Sequence, residues 1–345
     1  MDAPTAKRSR PSAEDGAAGG LHASLHHAAA REWAEPHLHA SQLMWPAFVR
    51  DAAEDRDVPG FAPNKQWGSA NEFGTLVARC RELQRAGLAS VMLFGVVADK
   101  DERGSRADAP DTPVARATRA LRAALPGLFV ALDVCLCEYT SHGHCGLLRA
   151  VEGEPERAVD NAATCARLAD VALAYARAGA HMVCPSDMMD SRVRSIRAKL
   201  DEGGFHHVMI MAYTSKKASA FYAPFRDAVD SAFKGDRKRY QHPVGSAGLA
   251  MRALRRDAAE GADVVIVKPA LFYGDIVRRF ADDPAGLPVA VYVVSGEAVM
   301  LRGYADRTND LETVLRESHV SMLRAGATIL ITYFTPEILG FLPRW

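Results

Sequence analysis

Short apolar runs alternate with longer amphipathic stretches along the chain, from about residue 43 to its end. The apolar runs are rich in Val, Ile, Leu, Phe and Met, and they do not alternate strictly with polar residues. Continuous runs of this kind are typical of strands covered on both faces, as in a parallel sheet. We predict eight such strands, at residues 44–49, 90–96, 128–135, 182–186, 208–213, 264–268, 289–295 and 328–334.

The stretches between these strands have the spacing of amphipathic helices, which we predict at residues 71–86, 113–124, 158–178, 192–202, 249–260, 275–281 and 310–325. Gly87, Gly179 and Gly326 follow three of these stretches, and glycine is the favoured residue for a left-handed helix end. Eight strand–helix alternations predict an α/β fold, a (β/α)8 TIM barrel. An open, doubly wound sheet is the competing architecture, but no Gly-x-Gly-x-x-Gly follows the first strand.

The first forty residues differ from the rest of the chain. Residues 1–20 are rich in Ala, Gly, Ser and Pro, and residues 7–10 form their one basic cluster, either a nuclear address or a solvated charge run. No apolar segment typical of a secretory signal follows, and acidic residues argue against a transit peptide. We therefore predict an extended, partly mobile N-terminal arm at residues 1–40, making assembly contacts, and a catalytic barrel at residues 41–345.

Composition narrows the class of protein. The 345 residues include 42 Lys+Arg and 42 Asp+Glu, so no overall basic field favours a nucleic-acid partner. No apolar run reaches the length of about 18 residues needed to span a membrane, so we expect no membrane partner. Six cysteines in a chain of this length do not resemble a disulfide framework and indicate a reducing compartment. We expect a cytoplasmic protein, with a plastid as the alternative location.

Three of the six cysteines, Cys135, Cys137 and Cys145, lie within eleven positions directly after the third predicted strand. Cys135 and Cys137 are two residues apart, so their sulfurs point to the same side of an extended backbone. Three converging thiolates can bind Zn²⁺ and leave one coordination position open. His142 and His144, in the same loop, are second choices as ligands. The alternative is three unrelated buried cysteines, but this loop is polar and needs no small hydrophobe.

A barrel places its chemistry at the carboxyl ends of its strands. Polar residues do follow the predicted strands there: Asp133, Ser186, Lys216, Lys217, Lys268, Ser295 and Tyr333. The second strand is followed by a densely charged loop at residues 99–106, which is either a solvated face or an assembly contact or flap.

Lys268 ends the buried sixth strand, where its charge must leave water. Desolvation and a nearby cation favour the neutral amine, which is a nucleophile toward carbonyl groups. The alternative is a lysine that reaches solvent or pairs with a carboxylate. Lys216 and Lys217 follow the fifth strand, and the pattern does not decide which of them reaches the site. Arginines in the long connection at residues 225–241 suit carboxylate recognition, although most surface arginines are simply solvated.

With these motifs the chain resembles the porphobilinogen synthase family, the 5-aminolevulinate dehydratases, over about residues 43–343. The resemblance is most specific at residues 133–146, 185–190, 211–227, 267–269, 292–297 and 331–336. It implies a (β/α)8 barrel, a homo-octamer assembled through N-terminal arms, and a lyase that condenses two 5-aminolevulinate molecules to porphobilinogen with loss of two waters. The pathway implied is tetrapyrrole, and hence haem, biosynthesis.

The resemblance also implies roles for individual residues. The Schiff-base lysines are Lys216, for the A-side substrate, and Lys268, for the P-side substrate, and the Zn²⁺ ligands are Cys135, Cys137 and Cys145. The remaining residues implied at the site lie beside the A-side substrate (Asp133, Ser186), bind its carboxylate (Arg226, Arg237, Gln241), bind the P-side carboxylate (Ser295, Tyr333) or form aromatic walls (Tyr213, Tyr292).

Several positions refine the resemblance. All three cysteines are retained, as in the zinc-dependent branch, and Arg256 stands where members without an allosteric Mg²⁺ site have arginine. Lys217 stands where family members commonly have an aromatic residue. If Lys217 pointed inward, its charge would lower the pKa of Lys216. Val293 replaces a histidine found in zinc-type relatives. The alternatives are another Schiff-base lyase or aldolase, which would need one lysine and no zinc, and a catalytically silent zinc-binding assembly protein.

Overall fold

The computed structural model describes residues 22–150, 158–231, 233 and 235–345. The predicted arm falls largely outside these residues, because positions 1–21 are not among them. Residues 22–37 belong to a separate unit from residues 38–345 and contain two short helices, His22–His26 and Ala28–Glu32.

Eight parallel strands form the centre of the larger unit. We label them β1 to β8: Leu43–Arg50, Ser90–Val96, Phe129–Val134, Met182–Pro185, Met209–Lys216, Val264–Lys268, Val289–Val293 and Ile329–Thr332. Each strand pairs with the next, and β8 pairs with β1 through Leu330 and Leu43, which closes the sheet. The predicted (β/α)8 barrel is confirmed, and the open sheet is excluded.

Helices surround the barrel and bury the outer faces of its strands. The helices of eight residues or more are Gly74–Arg85, Pro113–Ala124, Asn161–Ala178, Arg192–Glu202, Ala247–Ala259, Gly274–Ala281, Ser295–Thr308 and Leu311–Ala325. Shorter helical segments are Ala40–Gln42, Ala220–Tyr222, Ala223–Ala228, Thr335–Phe341 and Leu342–Arg344. Two small pairs of strands, Arg56–Asp57 with Lys65–Trp67 and Leu148–Arg149 with Ala158–Val159, lie outside the eight.

Two predicted boundaries are wrong in an informative way, and one helix is missing from the prediction. The fifth strand does not end at residue 213 but continues to Lys216, because Lys216 is still paired with Lys268 of β6. The third helix begins at Asn161, because Asp160 caps it by accepting a hydrogen bond from the backbone N–H of Ala163. The helix Ser295–Thr308 was not predicted, since its apolar positions form only a weak stripe and it contains two glycines.

A buried ion-pair network supports the ends of β4 and β5 from outside the barrel. The Arg192 side chain is fully buried and donates to Asp257 and to the backbone carbonyl of Tyr213 in β5. Asp257, on the helix Ala247–Ala259, also accepts a hydrogen bond from Thr214 of β5. Arg192 ion-pairs with Asp187, which follows β4, at 3.5 Å. The network therefore fixes two strand ends relative to the helices that cover them.

Candidate active site

A pocket opens at the carboxyl ends of the barrel strands, where the fold predicts the chemistry. Its lining brings together residues that the sequence had placed on four strand ends and two loops: Asp133, Cys137, Ser186, Lys216, Arg226, Arg237 and Lys268. These side chains are separated by as many as 135 positions in the sequence, from Asp133 to Lys268, and the barrel gathers them on one face.

Lys268 is enclosed by aromatic rings. Its Nζ atom lies 4.2 Å from the ring centroid of Tyr292, 5.0 Å from that of Phe225 and 5.1 Å from that of Tyr213. Burial, and after it the neighbouring charge of Lys216, lower the pKa of Lys268 to about 7. The amine of Lys268 is therefore partly unprotonated near neutral pH, as a nucleophile toward a ketone requires.

Lys216 has a different environment, although it is also fully buried. Its Nζ atom donates a hydrogen bond to the backbone carbonyl of Ser186 at 2.5 Å. Burial alone would lower its pKa, but the sulfurs of Cys145, Cys135 and Cys137 raise it above its ordinary value. The two pocket lysines therefore differ in charge at the same pH.

Lys217 does not face the pocket. Its Nζ atom donates to the backbone carbonyl of Ser246 at 2.6 Å and lies 5.6 Å from the ring centroid of Tyr273. Burial lowers the pKa of Lys217 as well, but this amine points away from the pocket lining. Of the two adjacent lysines that sequence spacing left open, Lys216 is the one in the pocket lining, and Lys217 is not among the groups with the largest effect on the pKa of Lys216.

Asp133 connects the two lysines electrostatically. Its Oδ2 atom accepts a hydrogen bond from the Ser186 hydroxyl at 3.0 Å. Burial raises the pKa of Asp133 to about 6, against the opposing effects of Lys216 and Lys268. A carboxyl group with this pKa can accept or donate a proton close to neutral pH.

The predicted carboxylate binders divide into two groups. Arg226 and Arg237 line the pocket, both within 5.4 Å of the ring centroid of Phe233, and Arg237 also donates to the backbone carbonyl of Gly143 at 2.8 Å. Gln241 instead lines a neighbouring cavity near Asp190, and it is not part of the pocket lining.

The predicted P-side binders are engaged with protein groups. The Ser295 hydroxyl accepts a hydrogen bond from the backbone N–H of Phe225 at 2.9 Å, and the Tyr333 hydroxyl is 3.0 Å from that of Tyr292. Neither Ser295 nor Tyr333 is exposed at the pocket surface, because Phe225 covers this side of the barrel mouth. Tyr213 and Tyr292 serve as walls around Lys268 rather than as part of the open lining.

The three cysteines form a compact, buried cluster. Their sulfurs lie within 4.8 Å of one another, with 3.3 Å between those of Cys135 and Cys137. Hydrogen bonds from the other two thiols lower the pKa of Cys145 well below its ordinary value. Three thiol groups at this separation fit a tetrahedral metal ion with one open position, and Cys137 borders the pocket. Among the residues that the structure describes, the group that could hold a metal ion contains neither His142 nor His144.

Sequence reasoning missed several pocket residues, of which Glu138 carries the most chemistry. Glu138 directly follows Cys137, its side chain is 1% exposed, and it lines the pocket. Burial and the charge of Asp133 raise its pKa well above the ordinary value. A charged residue beside a predicted metal ligand is the signal that would have identified it. The aromatic residues Tyr222, Phe225 and Phe94 had no such signal.

The segment at residues 225–231 borders the pocket, and residues from the first third of the chain hold it in place. Lys100 donates to the backbone carbonyls of Val229 and Asp230, and Gln66 donates to that of Ala228. Lys100 belongs to the charged loop at residues 99–106. This loop therefore contacts the segment at residues 225–231 and is not wholly a solvated face.

Comparisons with known proteins find a family, curated relatives and a solved structure that all carry the same description. The family model for delta-aminolevulinic acid dehydratase matches residues 21–341. The delta-aminolevulinic acid dehydratase of Macaca fascicularis is 46% identical over 94% of this chain and 98% of the relative, and that of Candida glabrata is 42% identical over 93% and 94%. The crystal structure of the Toxoplasma gondii ME49 delta-aminolevulinic acid dehydratase (porphobilinogen synthase), in complex with the reaction product porphobilinogen, has a TM-score of 0.86, with 35% identity over 92% of this chain and 90% of that one.

Proposed function

The chain belongs to the delta-aminolevulinic acid dehydratase family, and on that premise we propose that Lys216 and Lys268 are the two Schiff-base lysines of its reaction. The enzyme is a hydro-lyase that condenses two 5-aminolevulinate molecules to porphobilinogen with loss of two waters, a step of tetrapyrrole biosynthesis. The observation that supports the assignment is the pairing of Lys216 with Lys268 at neighbouring strand ends, in one pocket.

Lys268 is the better nucleophile of the pair before substrate binds, because burial and Lys216 lower its pKa to about 7. Its neutral amine adds to the ketone carbon of one 5-aminolevulinate, and loss of one water gives an iminium. Lys216, whose pKa is raised, must first give up a proton; its amine then adds to the ketone carbon of the second 5-aminolevulinate, and loss of the second water gives the second iminium.

An iminium withdraws electrons from the adjacent carbon, which favours removal of a proton there and bond formation between the two substrates. The resulting enamine carbon of one substrate bonds to the iminium carbon of the other, and the amino group of that other substrate bonds to the iminium carbon of the first. Each lysine leaves as the free amine from the carbon to which it was bonded, with loss of ring protons, so no water beyond the first two is released.

Asp133 is the proposed acceptor for such a proton. Its pKa of about 6, raised by burial, leaves it ionised at neutral pH, and it interacts electrostatically with both lysines. Ser186 orients this carboxyl by donating a hydrogen bond to it. We assign Asp133, together with Lys216 and Lys268, to catalysis.

The other residues bind and orient the substrates in this proposal. Arg226 and Arg237 bind the carboxylate of the A-side substrate, because guanidinium groups suit carboxylates and both line the pocket. Gln241 assists them, which requires it to turn from the neighbouring cavity. Ser295 and Tyr333 bind the P-side carboxylate after the Phe225 contact with Ser295 opens. Tyr213 and Tyr292 hold the bound ketone against Lys268 and exclude water.

The cofactor we propose is Zn²⁺, held by Cys135, Cys137 and Cys145. A bound zinc ion supplies Lewis acidity and can lower the pKa of a coordinated water. The three sulfurs are the donor type that favours zinc over hard cations such as Mg²⁺. Arg256 stands where members without an allosteric Mg²⁺ site have arginine, and its pairing with Asp190 and Asp257 already supplies these carboxylates with a cation, which supports the absence of such a site.

We also propose a homo-octamer, to which residues 1–40 contribute contacts, and a cytoplasmic location with a plastid as the alternative. No helix among the residues that the structure describes is long and apolar enough to cross a membrane.

Formation of porphobilinogen, read by its colour reaction, tests the proposed function. The Lys216→Met and Lys268→Met variants should lose activity by more than about a thousandfold, because each removes a covalent step. Lys217→Met is the matched control and should retain activity. A chelator should abolish product formation, and added Zn²⁺ should restore it. An active Lys216→Met variant, or chelator-resistant turnover, would contradict the proposal.

A further inference from the structure

Glu138 is a buried carboxyl group for which the reaction described above has no role. Its side chain lines the same pocket as Lys216 and Lys268. Neither of its carboxyl oxygens has a hydrogen-bond partner among residues 22–150, 158–231, 233 and 235–345. A buried carboxyl without a partner is costly, so a pocket that retains one is expected to receive its partner with the ligand.

The cations near Glu138 are directed elsewhere. Lys100 and Lys216 are the two amines whose charges act most strongly on this carboxyl. Lys100 donates to the backbone carbonyls of residues 229 and 230, and Lys216 donates to the carbonyl of residue 186. Glu138 therefore lies near two amines that do not pair with it and near the carboxyl of Asp133, so both of its oxygens are available to a further cationic donor.

The substrate supplies such a donor in a defined place. Each 5-aminolevulinate carries an ammonium group on the carbon next to its ketone and a carboxylate at the other end. Once the ketone carbon is bonded to a lysine, the ammonium group must lie beside that lysine. Two substrates bring two ammonium groups, and the pocket lining contains two carboxyls with unpartnered oxygens, Asp133 and Glu138.

The two carboxyls are not equivalent. Asp133 interacts with both lysines, and one of its oxygens is already engaged by Ser186. Glu138 has both oxygens available, and Lys216, not Lys268, is among the groups that act most strongly on it. On the basis of the proposed function, we propose that Glu138 accepts hydrogen bonds from the ammonium group of the 5-aminolevulinate bound at Lys216 and thereby selects the amino ketone over ketones that lack an amino group.

The test compares 5-aminolevulinate with 4-oxopentanoate, which has the same carboxylate and ketone but no amino group. In the Glu138→Gln variant, KM for 5-aminolevulinate should rise about ten- to a hundredfold, the effect of a charge-assisted hydrogen bond. The affinity of 4-oxopentanoate for the Lys216 position, measured as its borohydride-trapped adduct on the Lys216 peptide, should change less than about twofold, since this ketone presents no ammonium group. Equal changes for the two ligands, or no change for either, would overturn the proposal.

Two further variants separate recognition from structure. Glu138→Asp keeps the charge but shortens the side chain, so it should bind 5-aminolevulinate better than the isosteric Glu138→Gln does; the reverse order would show a packing role and overturn the proposal. Glu202→Gln removes an exposed carboxylate at a helix end and is the charge-matched control. Zinc content is measured for every variant because Glu138 follows Cys137, and loss of zinc from Glu138→Gln would count against ammonium recognition.

The Glu138 proposal rests on the proposed function, but different measurements show the failure of each. Lys216 and Lys268 adducts in the native enzyme test the Schiff-base assignment, whereas only the ratio between the two ligands tests Glu138.

Discussion

Lys216 and Lys268 are direct partners in the register of two neighbouring parallel strands, β5 and β6. Side chains at the same register position of adjacent strands point to the same face of the sheet, so both amines enter the barrel mouth. Two amines so close together cannot both be charged without cost, and burial lowers the pKa of Lys268 to about 7 with Lys216 adding to the effect. The register thus produces one amine that is reactive at neutral pH.

Schiff-base formation at Lys268 should depend on pH in a defined direction. Below pH 7 the amine becomes protonated, so the rate of adduct formation with 4-oxopentanoate should fall about tenfold per pH unit, and above pH 7 it should level off. Rapid borohydride quenching, with quantification of the Lys268 peptide, measures this rate. The Lys216→Met variant removes the neighbouring charge, so the midpoint should move upward; an unmoved midpoint would show that Lys216 does not act on Lys268.

The cysteine cluster predicts which thiols a metal needs. Cys135→Ser should reduce the bound Zn²⁺ from about one per chain to well below stoichiometry and should abolish activity, because serine is a far weaker zinc ligand than thiolate. Cys165→Ser is the matched control, since the Cys165 thiol donates to the backbone carbonyl of Asp190 and accepts from the side-chain amide of Asn161, and a serine hydroxyl can make both bonds. Metal analysis after dialysis decides the matter, and full zinc content in Cys135→Ser would exclude the cluster as the metal site.

Much of this arrangement follows from the sequence, and the remainder depends on three-dimensional packing. The strands could be predicted because runs such as residues 264–268 are apolar throughout, and a barrel then places Asp133, Ser186 and Lys268 together. Spacing alone left the choice between Lys216 and Lys217 open, since alternation does not fix which side faces the pocket; the family resemblance implied Lys216, and the register with β6 gives the physical reason. The contact between Phe225 and Ser295 also required the structure, because the sequence of residues 225–231 has no periodic pattern.

Glu297 holds the segments that follow β6 and β7. Its carboxyl oxygens accept hydrogen bonds from the backbone N–H groups of Ala270, Leu271 and Val294. Glu297→Gln places an amide NH₂ against at least one of these donors, so kcat should fall about ten- to a hundredfold through displacement of the Lys268 segment. Glu317→Gln, at an exposed position, is the control.

The same variant should show a pH-dependent loss of stability. Burial raises the pKa of Glu297 from 4.5 to about 7, so its contribution to folding is greatest below about pH 4.5 and declines as pH rises through 7. Urea unfolding should therefore give a loss of about 1–3 kcal/mol for Glu297→Gln at acidic pH and a smaller loss above pH 7. A larger loss at high pH would contradict this sign.

The Arg192–Asp257 pair should be a major contributor to stability. Burial alone would raise the pKa of Asp257, but Arg192 and Arg256 hold this pKa below its ordinary value. Asp257→Ala leaves Arg192 without its main partner in a fully buried position, so the free energy of unfolding should fall by about 3–5 kcal/mol at neutral pH. The contribution of a carboxylate with a lowered pKa is present above its ordinary pKa and is lost as pH falls through the folded value. The difference between native and variant in urea unfolding should therefore shrink in acid, and exposed Asp306→Ala should cause little change at any pH.

Borohydride trapping with 5-aminolevulinate, read by peptide mass spectrometry, tests the central claim that two lysines of one pocket bind two substrates covalently. We expect adducts on the peptides that contain Lys216 and Lys268. Lys217 should carry none, because its amine donates a hydrogen bond to the backbone carbonyl of Ser246. An adduct on only one of the two pocket lysines, or on Lys217, would contradict the account.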